Sequence, residues 1–226
     1  MIHFSKTAEL RQNAIFDAIR EIPDLGLVVQ HLNIPLVVHK NVFIPCADSI
    51  PLLQNYTVQK DEVVLDVGTG SGVLAIFAAL LGARRVVAVD WNEYAVINAI
   101  TNVKLYGLET KINVRAGDVF DVINKDEKFD VIIANLPFMN RLARDIVETS
   151  IWDTNLYTNR KFFSHVRDFL APGGRVYITQ ANFGAVEEIS KLARNAGFSK
   201  KLIGQITVSD IGSTFYAFEL KFATES

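Results

Sequence analysis

Three glycines, Gly68, Gly70 and Gly72, follow a short apolar run in the segment VLDVGTGSG. Glycine adopts positive φ without strain and lets the backbone approach a ligand closely, because it has no Cβ. A carboxylate, Asp90, ends the next apolar run, VVAVD, eighteen residues after the third glycine. In strand–turn–helix folds an acid at about this distance hydrogen-bonds the hydroxyls of a ribose. The spacing therefore predicts a site for a cofactor that carries a nucleoside.

The order of the glycines narrows the type of cofactor. A dinucleotide site needs G-x-G-x-x-G, but Val73 stands at the position of its third glycine, and no lysine follows Gly72 as in a phosphate-binding loop. With Asp66 before it and Asp90 after it, the segment resembles the first two motifs of the class I S-adenosylmethionine-dependent methyltransferases, over roughly residues 60–180. The resemblance implies S-adenosylmethionine as the cofactor. The cofactor-binding residues that it implies are Asp66, Gly68, Thr69, Gly70, Gly72, Asp90, Trp91, Asp118 and Asn135. The alternative is that the glycines form only a turn.

The resemblance also implies which part of the cofactor each of these residues contacts. Backbone amides of Gly68–Gly72 would face its methionine end, with Asp66 close to the amino group. Trp91 would lie against the adenine, and Asp118 would accept a hydrogen bond from the adenine amino group. Two alternatives stay open: Trp91 is a core residue, and Asp118 caps a short helix at 119–124.

A second motif, Asn135-Leu136-Pro137-Phe138, ends the apolar run FDVIIA. It resembles the N-P-P-Y signature of methyltransferases that modify planar nitrogen, such as glutamine amides and nucleobase amines. The catalytic residues that this implies are Asn135 and Leu136, whose side-chain and main-chain oxygens would accept hydrogen bonds from the substrate NH₂, and Phe138, which would stack on it. Leu136 and Phe138 depart from the usual proline and tyrosine, and the alternative is an ordinary strand end.

Two flanking segments are candidates for covering the site. The segment VFIPCADSIPLL resembles the one that precedes the first motif in release-factor glutamine methyltransferases, which makes Phe43, Pro45 and Asp48 candidates for a cofactor lid. The alternative for Asp48 is a helix cap. Only some 55 residues precede the first predicted strand of the sheet, so recognition of a whole release factor is not expected.

The stretch between Phe138 and the next predicted helix is long enough to suggest a functional loop. Its candidate substrate contacts are Arg141, Arg144, Trp152, Tyr157 and Arg160. If the loop faces the site, its arginines favour an anionic or carboxylate-bearing substrate. The alternative is a solvated helix with ordinary surface arginines.

Composition excludes several classes of protein. With 226 residues, half of them hydrophobic, the chain can bury one substantial core. A single cysteine, Cys46, and the absence of a signal-like start predict a soluble, cytoplasmic protein, and the longest apolar run, 73–83, is too short to span a membrane. The net charge of −2 makes a small molecule or a protein side chain a better-matched substrate than nucleic acid. The four scattered histidines predict no metal site. The oligomeric state stays open.

The elements that must position these residues alternate between strand and helix. The pattern predicts a Rossmann-like open α/β sheet of about seven strands, mostly parallel with an antiparallel last strand, and helices on both faces. The predicted strands are 62–67, 85–90, 111–115, 129–135, 175–180, 202–208 and 214–222. The predicted helices are 71–81, 92–107, 158–170 and 183–196.

An N-terminal extension and lid at 1–57 precede the predicted catalytic domain at 58–226. A helix at 5–21 and two short strands around His39-Lys40-Asn41 are expected within the extension. The apolar stripe expected on that helix is Leu10, Ala14, Ile15, Ala18 and Ile19.

The sequence thus predicts an S-adenosylmethionine-dependent methyltransferase that acts on a planar amide or amine of a small molecule, a protein side chain or a nucleobase. One alternative is O-methylation, or another use of the sulfonium such as transfer of its aminocarboxypropyl arm or an intramolecular cyclisation. Another is a non-catalytic subunit that binds S-adenosylmethionine. Methyl transfer by in-line displacement needs alignment in a dry pocket more than acid–base groups, so no catalytic triad is expected.

Overall fold

The computed structural model describes residues 6–222, with side chains from residue 11 onwards. Within these residues the chain forms a two-stranded hairpin and a seven-stranded sheet. The hairpin consists of β1 Leu27–His31 and β2 Ile34–Val38. The strands of the large sheet are β3 Val63–Val67, β4 Arg85–Asp90, β5 Ile112–Ala116, β6 Phe129–Ala134, β7 Leu170–Ala181, β8 Phe198–Val208 and β9 Ser213–Phe222.

The strand order of the large sheet is β5-β4-β3-β6-β7-β9-β8. The first five strands of this order pair in parallel, and β9 is antiparallel to both of its neighbours. The chain leaves β3 toward β4 on one side and later returns to β6 on the other. The switch point of the sheet therefore lies between β3 and β6, where ligands bind in such folds. The predicted sheet, with its antiparallel last strand, is confirmed.

The core lies on both faces of the sheet because its central strands are apolar throughout. Val63, Leu65 and Val67 face one hydrophobic cluster, whereas Val64 faces the other. Helices cover both clusters, as predicted. They are α1 Lys6–Arg20, α2 Ile50–Asn55, α3 Val73–Leu80, α4 Glu93–Leu105, α5 Tyr157–Phe169 and α6 Val186–Asn195. α1, α5 and α6 contribute side chains to the first cluster, and α2, α3 and α4 contribute to the second.

The stripe predicted for α1 is wrong. Phe16 and Ile19 are fully buried and Gln12 is only 6% exposed, while Ile15 is 39% exposed. Two stripes on this helix share Ile19, and the larger side chain of Phe16 decides which of them packs inward. Gln12 lies one turn before Phe16 on the buried face of the helix. Because Gln12 is polar, a prediction based on apolar residues alone missed this face. Residue 5 and the side chain of Leu10 lie outside the described residues.

The hairpin turns earlier in the chain than predicted. Leu32 and Asn33 both have positive φ, of 48° and 65°, and join β1 to β2. The predicted turn at His39-Lys40-Asn41 instead follows β2, and residues 42–45 form no strand. The predicted short helix at 119–124 is also absent, because residues 119–122 form turns. The division of the chain at residue 57 stays a prediction.

Candidate functional site

A cavity of about 720 Å³ opens at the carboxyl ends of β3, β4 and β6. A volume of this order accommodates a cofactor-sized ligand. The walls come from six parts of the chain, namely residues 41–49, the glycine loop with the start of α3 (68–74), residues 90–95, Asp118, residues 135–138 and residues 146–158. Of the predicted site residues, Gly68, Thr69, Gly70, Asp90, Trp91, Asp118, Asn135, Leu136 and Phe138 line it. Asp66 and Gly72 are not among the lining residues.

The three glycines of the loop all have positive φ, of 73°, 56° and 85° along the chain. A Cβ added at Gly70 would meet no atom within 4 Å, which places this residue beside open space in the cavity. A Cβ at Gly72 would lie 3.3 Å from the Cα and Cβ of Ala99 on α4. The lack of a side chain at Gly70 therefore keeps the cavity open. The lack of a side chain at Gly72 allows the loop to pack closely against α4.

The amides of this loop donate hydrogen bonds within the protein. Gly68 and Thr69 donate to the Val89 carbonyl oxygen at 2.8 and 3.0 Å, and Gly72 donates to the Thr69 carbonyl oxygen at 2.8 Å. The Gly70 amide donates to Asp90 Oδ2 at 2.9 Å. Val89, Asp90 and Thr69 thus supply acceptors for these four amides within the protein, and the prediction that loop amides face the methionine end of the cofactor stays a prediction. The loop can also present Cβ-free backbone and carbonyl oxygens to a ligand, and these oxygens suit an ammonium group.

Asp90 ends β4 in the wall of the cavity and is 8% exposed. Its two oxygens accept from the amides of Gly70 and Asn92, both at 2.9 Å. Burial raises the pKa of this carboxyl, and the amides act against that rise. A carboxylate has about four acceptor positions, so two backbone bonds leave capacity for ribose hydroxyls.

Asp66 lies beneath the loop and is fully buried. Thr69 Oγ1 donates to its Oδ2 at 2.7 Å, while Oδ1 has no partner among the described residues. Burial raises the pKa of Asp66 to about 7. A cation bound above the loop would favour the ionised form and lower this pKa. The buried, unpaired oxygen thus fits a positively charged ligand group close to Thr69.

Asn135 follows β6 and is held from two sides. Its Nδ2 donates to Asp48 Oδ2 at 2.7 Å, and its Oδ1 accepts from the Thr179 hydroxyl. Because a carboxylate can only accept, the nitrogen of the Asn135 amide must face Asp48. Asp48 is 4% exposed, lines the cavity and also accepts from Cys46 Sγ at 3.2 Å.

The helix-cap reading of Asp48 does not hold. Ser49 occupies the N-cap position of α2, without a capping hydrogen bond. Phe43 and Pro45 line the cavity with Asp48, so all three lid candidates face it.

Leu136 and Phe138 form an apolar wall and are 7% and 6% exposed. The Leu136 side chain approaches the glycine loop, 3.4 Å from where a Cβ on Gly68 would stand. The Phe138 ring meets Phe183 and Phe215 edge to face, with centroid distances of 5.5 and 6.5 Å. This packing holds the wall rigid, and stacking of Phe138 on a substrate stays a prediction.

Trp91 is 50% exposed and lines the cavity, as does Asp118. Asp118 Oδ2 accepts from the Tyr157 hydroxyl at 3.0 Å and from Lys161 Nζ at 2.8 Å. The alternative in which Asp118 caps a helix at 119–124 fails, because no helix forms there. The remaining oxygen of Asp118 can still accept from a ligand.

The segment after Phe138 contributes Trp152 and Tyr157 to the cavity, but Arg141, Arg144 and Arg160 are not among its lining residues. Arg141 instead places its guanidinium 4.4 Å from the centroid of Trp152, and Arg160 Nε donates to the Asn155 carbonyl oxygen at 3.0 Å. The prediction of pocket-facing arginines is therefore wrong. The charged lining residues are Asp48, Asp90, Asp118 and Asp153. No lysine, arginine or histidine is among the described residues that line this cavity.

Thr179 was not predicted from the sequence. It lies 44 positions from Asn135 on the neighbouring strand β7, and no motif marks it. Only the register, in which Ala134 pairs with Ile178, brings the two side chains together.

Comparison with known proteins agrees with this geometry. The family described as ribosomal protein L11 methyltransferase (PrmA) matches residues 47–157. The chain is 32% identical over 190 residues to a Methanocaldococcus jannaschii protein provisionally named protein N5-glutamine methyltransferase, which covers 80% of this chain and 93% of that protein. It is also 42% identical over 84 residues to the ribosomal protein L11 methyltransferase of Alkaliphilus oremlandii, covering 37% of this chain and 26% of that one.

Among solved structures, the fold is similar to the T. thermophilus 16S rRNA N2 G1207 methyltransferase in complex with AdoMet and guanosine. The TM-score is 0.63 at 19% identity, over 88% of this chain and 50% of that one. No helix in residues 6–222 combines the length and the apolar character needed to cross a membrane.

Proposed function

The chain belongs to the class I S-adenosylmethionine-dependent methyltransferases, and we propose that it methylates the amide nitrogen of a glutamine side chain in a protein. Its cofactor is S-adenosylmethionine, which when bound supplies an electrophilic methyl group on a positively charged sulfur. The reaction forms a nitrogen–carbon bond, breaks the sulfur–carbon bond and releases a proton from the nitrogen.

The observation that carries the proposal is the fixed amide of Asn135. An amide nitrogen is a poor nucleophile because its lone pair is conjugated with the carbonyl group. Acceptors placed at its two N–H bonds hold the nitrogen toward the methyl group and stabilise the charge that develops on it. Asn135 Oδ1 and the Leu136 carbonyl oxygen are the groups that would accept. Donation from Asn135 Nδ2 to Asp48 strengthens Oδ1 as an acceptor, because linked hydrogen bonds polarise one another.

The charge of the cavity supports a neutral acceptor. Its charged lining residues are all aspartates, which suit the cationic cofactor and oppose a substrate carboxylate at the same site. An uncharged glutamine amide escapes this repulsion, whereas the glutamate that resembles it in shape does not. The apolar wall of Leu136 and Phe138 keeps water from the reacting nitrogen.

The relatives support a protein substrate to different degrees. The chain spans 93% of the Methanocaldococcus jannaschii relative, so the glutamine amide named there is a substrate that the whole fold could share. It spans only 26% of the Alkaliphilus oremlandii relative, so the substrate of that protein is not carried over.

Peptides that contain glutamine test the proposal against matched peptides with glutamate in its place. Release of S-adenosylhomocysteine and fragment masses would report turnover and the modified atom. We expect methyl on the glutamine nitrogen. Methyl on a hydroxyl or carboxyl oxygen of the peptide, or methylthioadenosine as the product, would each contradict the proposal.

Variants of the fixed amide sharpen the test. Asn135→Ala should lower kcat by about 100-fold, since an electrostatic contact to the reacting group is lost, while the affinity for S-adenosylhomocysteine stays within about threefold. Asn195→Ala is the matched control, because Asn195 is exposed at the end of α6. Unchanged turnover in Asn135→Ala would refute the assigned role.

A further inference from the structure

A buried glutamine on α1 contacts the segment that forms the acceptor side of the cavity. Gln12 is 6% exposed. Its Nε2 donates to Met139 Sδ at 3.0 Å, and its Oε1 accepts from Trp152 Nε1 at 2.9 Å. Met139 directly follows Phe138, and Trp152 lines the cavity. One side chain of the N-terminal helix thus touches both Met139, which follows the Asn135–Phe138 motif, and Trp152 in the cavity wall.

Met139 and Trp152 are the two ends of a loop that closes on itself. They form an isolated bridge, in which Met139 N–H donates to the Ile151 carbonyl oxygen at 3.2 Å. Asp153 N–H donates back to the Met139 carbonyl oxygen at 2.7 Å. We call residues 139–152 the acceptor loop. Gln12 spans the neck of this loop, where a small displacement would shift every residue beyond it.

Two further contacts tie α1 to the acceptor loop. Phe16 meets the Trp152 ring edge to face, with centroids 5.0 Å apart. Arg20 pairs with Asp145 at 2.7 Å and lies 3.9 Å from Glu148. Gln12, Phe16 and Arg20 repeat at four-residue intervals, so they lie along one side of the helix. This side of α1 is therefore built to hold the acceptor loop.

A glutamine is an unusual choice for that face. An apolar residue would gain more from burial, because a buried amide must find partners to offset its lost hydration. Both partners of Gln12 belong to the loop neck, and the Trp152 indole N–H would be left buried without it. The side chain therefore fixes a geometry more than it adds stability.

We propose that Gln12 is a positioning residue that sets the acceptor wall through Trp152 and so determines how well the substrate binds. The assignment of this wall to the acceptor rests on the proposed function, because it adjoins the motif that would hold the amide. The cofactor side of the cavity, formed by the glycine loop and Asp90, receives no contact from Gln12 among its described hydrogen bonds.

The test compares Gln12→Ala with Asn13→Ala, a control at the exposed neighbouring position. With the glutamine peptide that the wild type methylates best, Gln12→Ala should raise KM about tenfold and leave the affinity for S-adenosylhomocysteine within about twofold. The control should change neither. Equal losses of cofactor and peptide affinity in Gln12→Ala would indicate a merely structural role and overturn the proposal.

A double-mutant cycle identifies the route. Trp152→Phe keeps a ring against Phe16 but removes the N–H that Gln12 accepts. If Gln12 acts through Trp152, the Gln12→Ala change should raise KM by no more than about twofold in the Trp152→Phe background. Full additivity of the two changes would overturn the proposal.

Fluorescence separates this proposal from the proposed function. The chain has two tryptophans, so Trp91→Phe leaves Trp152 as the sole emitter. Gln12→Ala in that background should shift the Trp152 emission to longer wavelength and make it more accessible to acrylamide. This measurement needs no substrate, so failure to methylate glutamine peptides would count against the proposed function alone. An unchanged emission spectrum and unchanged quenching would overturn the positioning role.

Discussion

Two glycines of the same loop should respond differently to one added methyl group. Gly70→Ala and Gly72→Ala both place alanine at positive φ, of 56° and 85°. The left-handed region costs an L residue roughly 1–2 kcal/mol, so both variants share this destabilisation. At Gly70 the new Cβ meets no atom within 4 Å, whereas at Gly72 it lies 3.3 Å from the Cα and Cβ of Ala99. Overpacking of this kind adds about 1–3 kcal/mol.

The unfolding free energy of the protein without cofactor should therefore fall by about 1–2 kcal/mol in Gly70→Ala and by roughly 2–5 kcal/mol in Gly72→Ala. For a chain of this length each kcal/mol lowers Tm by about 2–4 °C. Urea and thermal unfolding measure both quantities. Stability alone would rank Gly72→Ala as the more damaging change.

Cofactor affinity should show the reverse order. The methyl group of Gly70→Ala enters the cavity, and a clash of about 1.4 kcal/mol with the ligand already costs tenfold in Kd. Gly72 does not line the cavity, so calorimetry with S-adenosylhomocysteine should find a smaller change in its folded variant. The reasoning is refuted if Gly70→Ala binds as tightly as the wild type, or if Gly72→Ala is no less stable than Gly70→Ala.

Three further predictions concern buried and paired carboxylates. Burial raises the pKa of Asp66 from 3.8 to about 7. The contribution of its protonated carboxyl to the free energy of unfolding is therefore fully present below pH 3.8 and is lost as the pH rises to about 7. Asp66→Asn should flatten this decline in the free energy of unfolding measured with urea. The Arg115 guanidinium lowers the pKa of Glu127 from 4.5 to about 2. The stability that the ionised Glu127 contributes is therefore present above pH 4.5 and is lost as the pH falls toward 2. Glu127→Gln should remove this loss of stability in acid, and an unchanged dependence of stability on acid pH would contradict the prediction. Asp90→Asn has one acceptor oxygen where two amides now donate, so the affinity for S-adenosylhomocysteine should fall about tenfold by calorimetry, with a smaller change counting against Asp90 as the ribose contact.

The order of the elements could be predicted because the chain repeats a simple pattern. Apolar runs that end in a turn residue predicted each strand of the large sheet, and the Asn92 cap and Gly107 marked α4 within about two residues. Parallel sheets bury both faces of their strands, so their sequences are apolar throughout and easy to recognise. The glycine loop and Asp90 came from the same kind of local signal.

What could not be predicted depends on contacts between distant parts of the chain. The buried face of α1 is set by Phe16 packing on Trp152, and Thr179 meets Asn135 only through the register of β6 and β7. Neither contact can be predicted from residues that are neighbours in the sequence. The prediction that arginines face the cavity failed for a related reason. A side chain of residues 139–160 can point to either side of the loop, and only the contacts that close the loop in the folded chain determine which side it takes.

Asp48 connects two functions that the sequence presents separately. It lies in the segment 41–49 that lines the cavity, and its carboxylate accepts from the Asn135 amide at 2.7 Å. Any movement of this segment that breaks the bond would leave the Asn135 amide held only by Thr179 and would weaken its oxygen as an acceptor. The position of the group that would hold the acceptor nitrogen therefore depends on the part of the cavity wall to which Asp48 belongs.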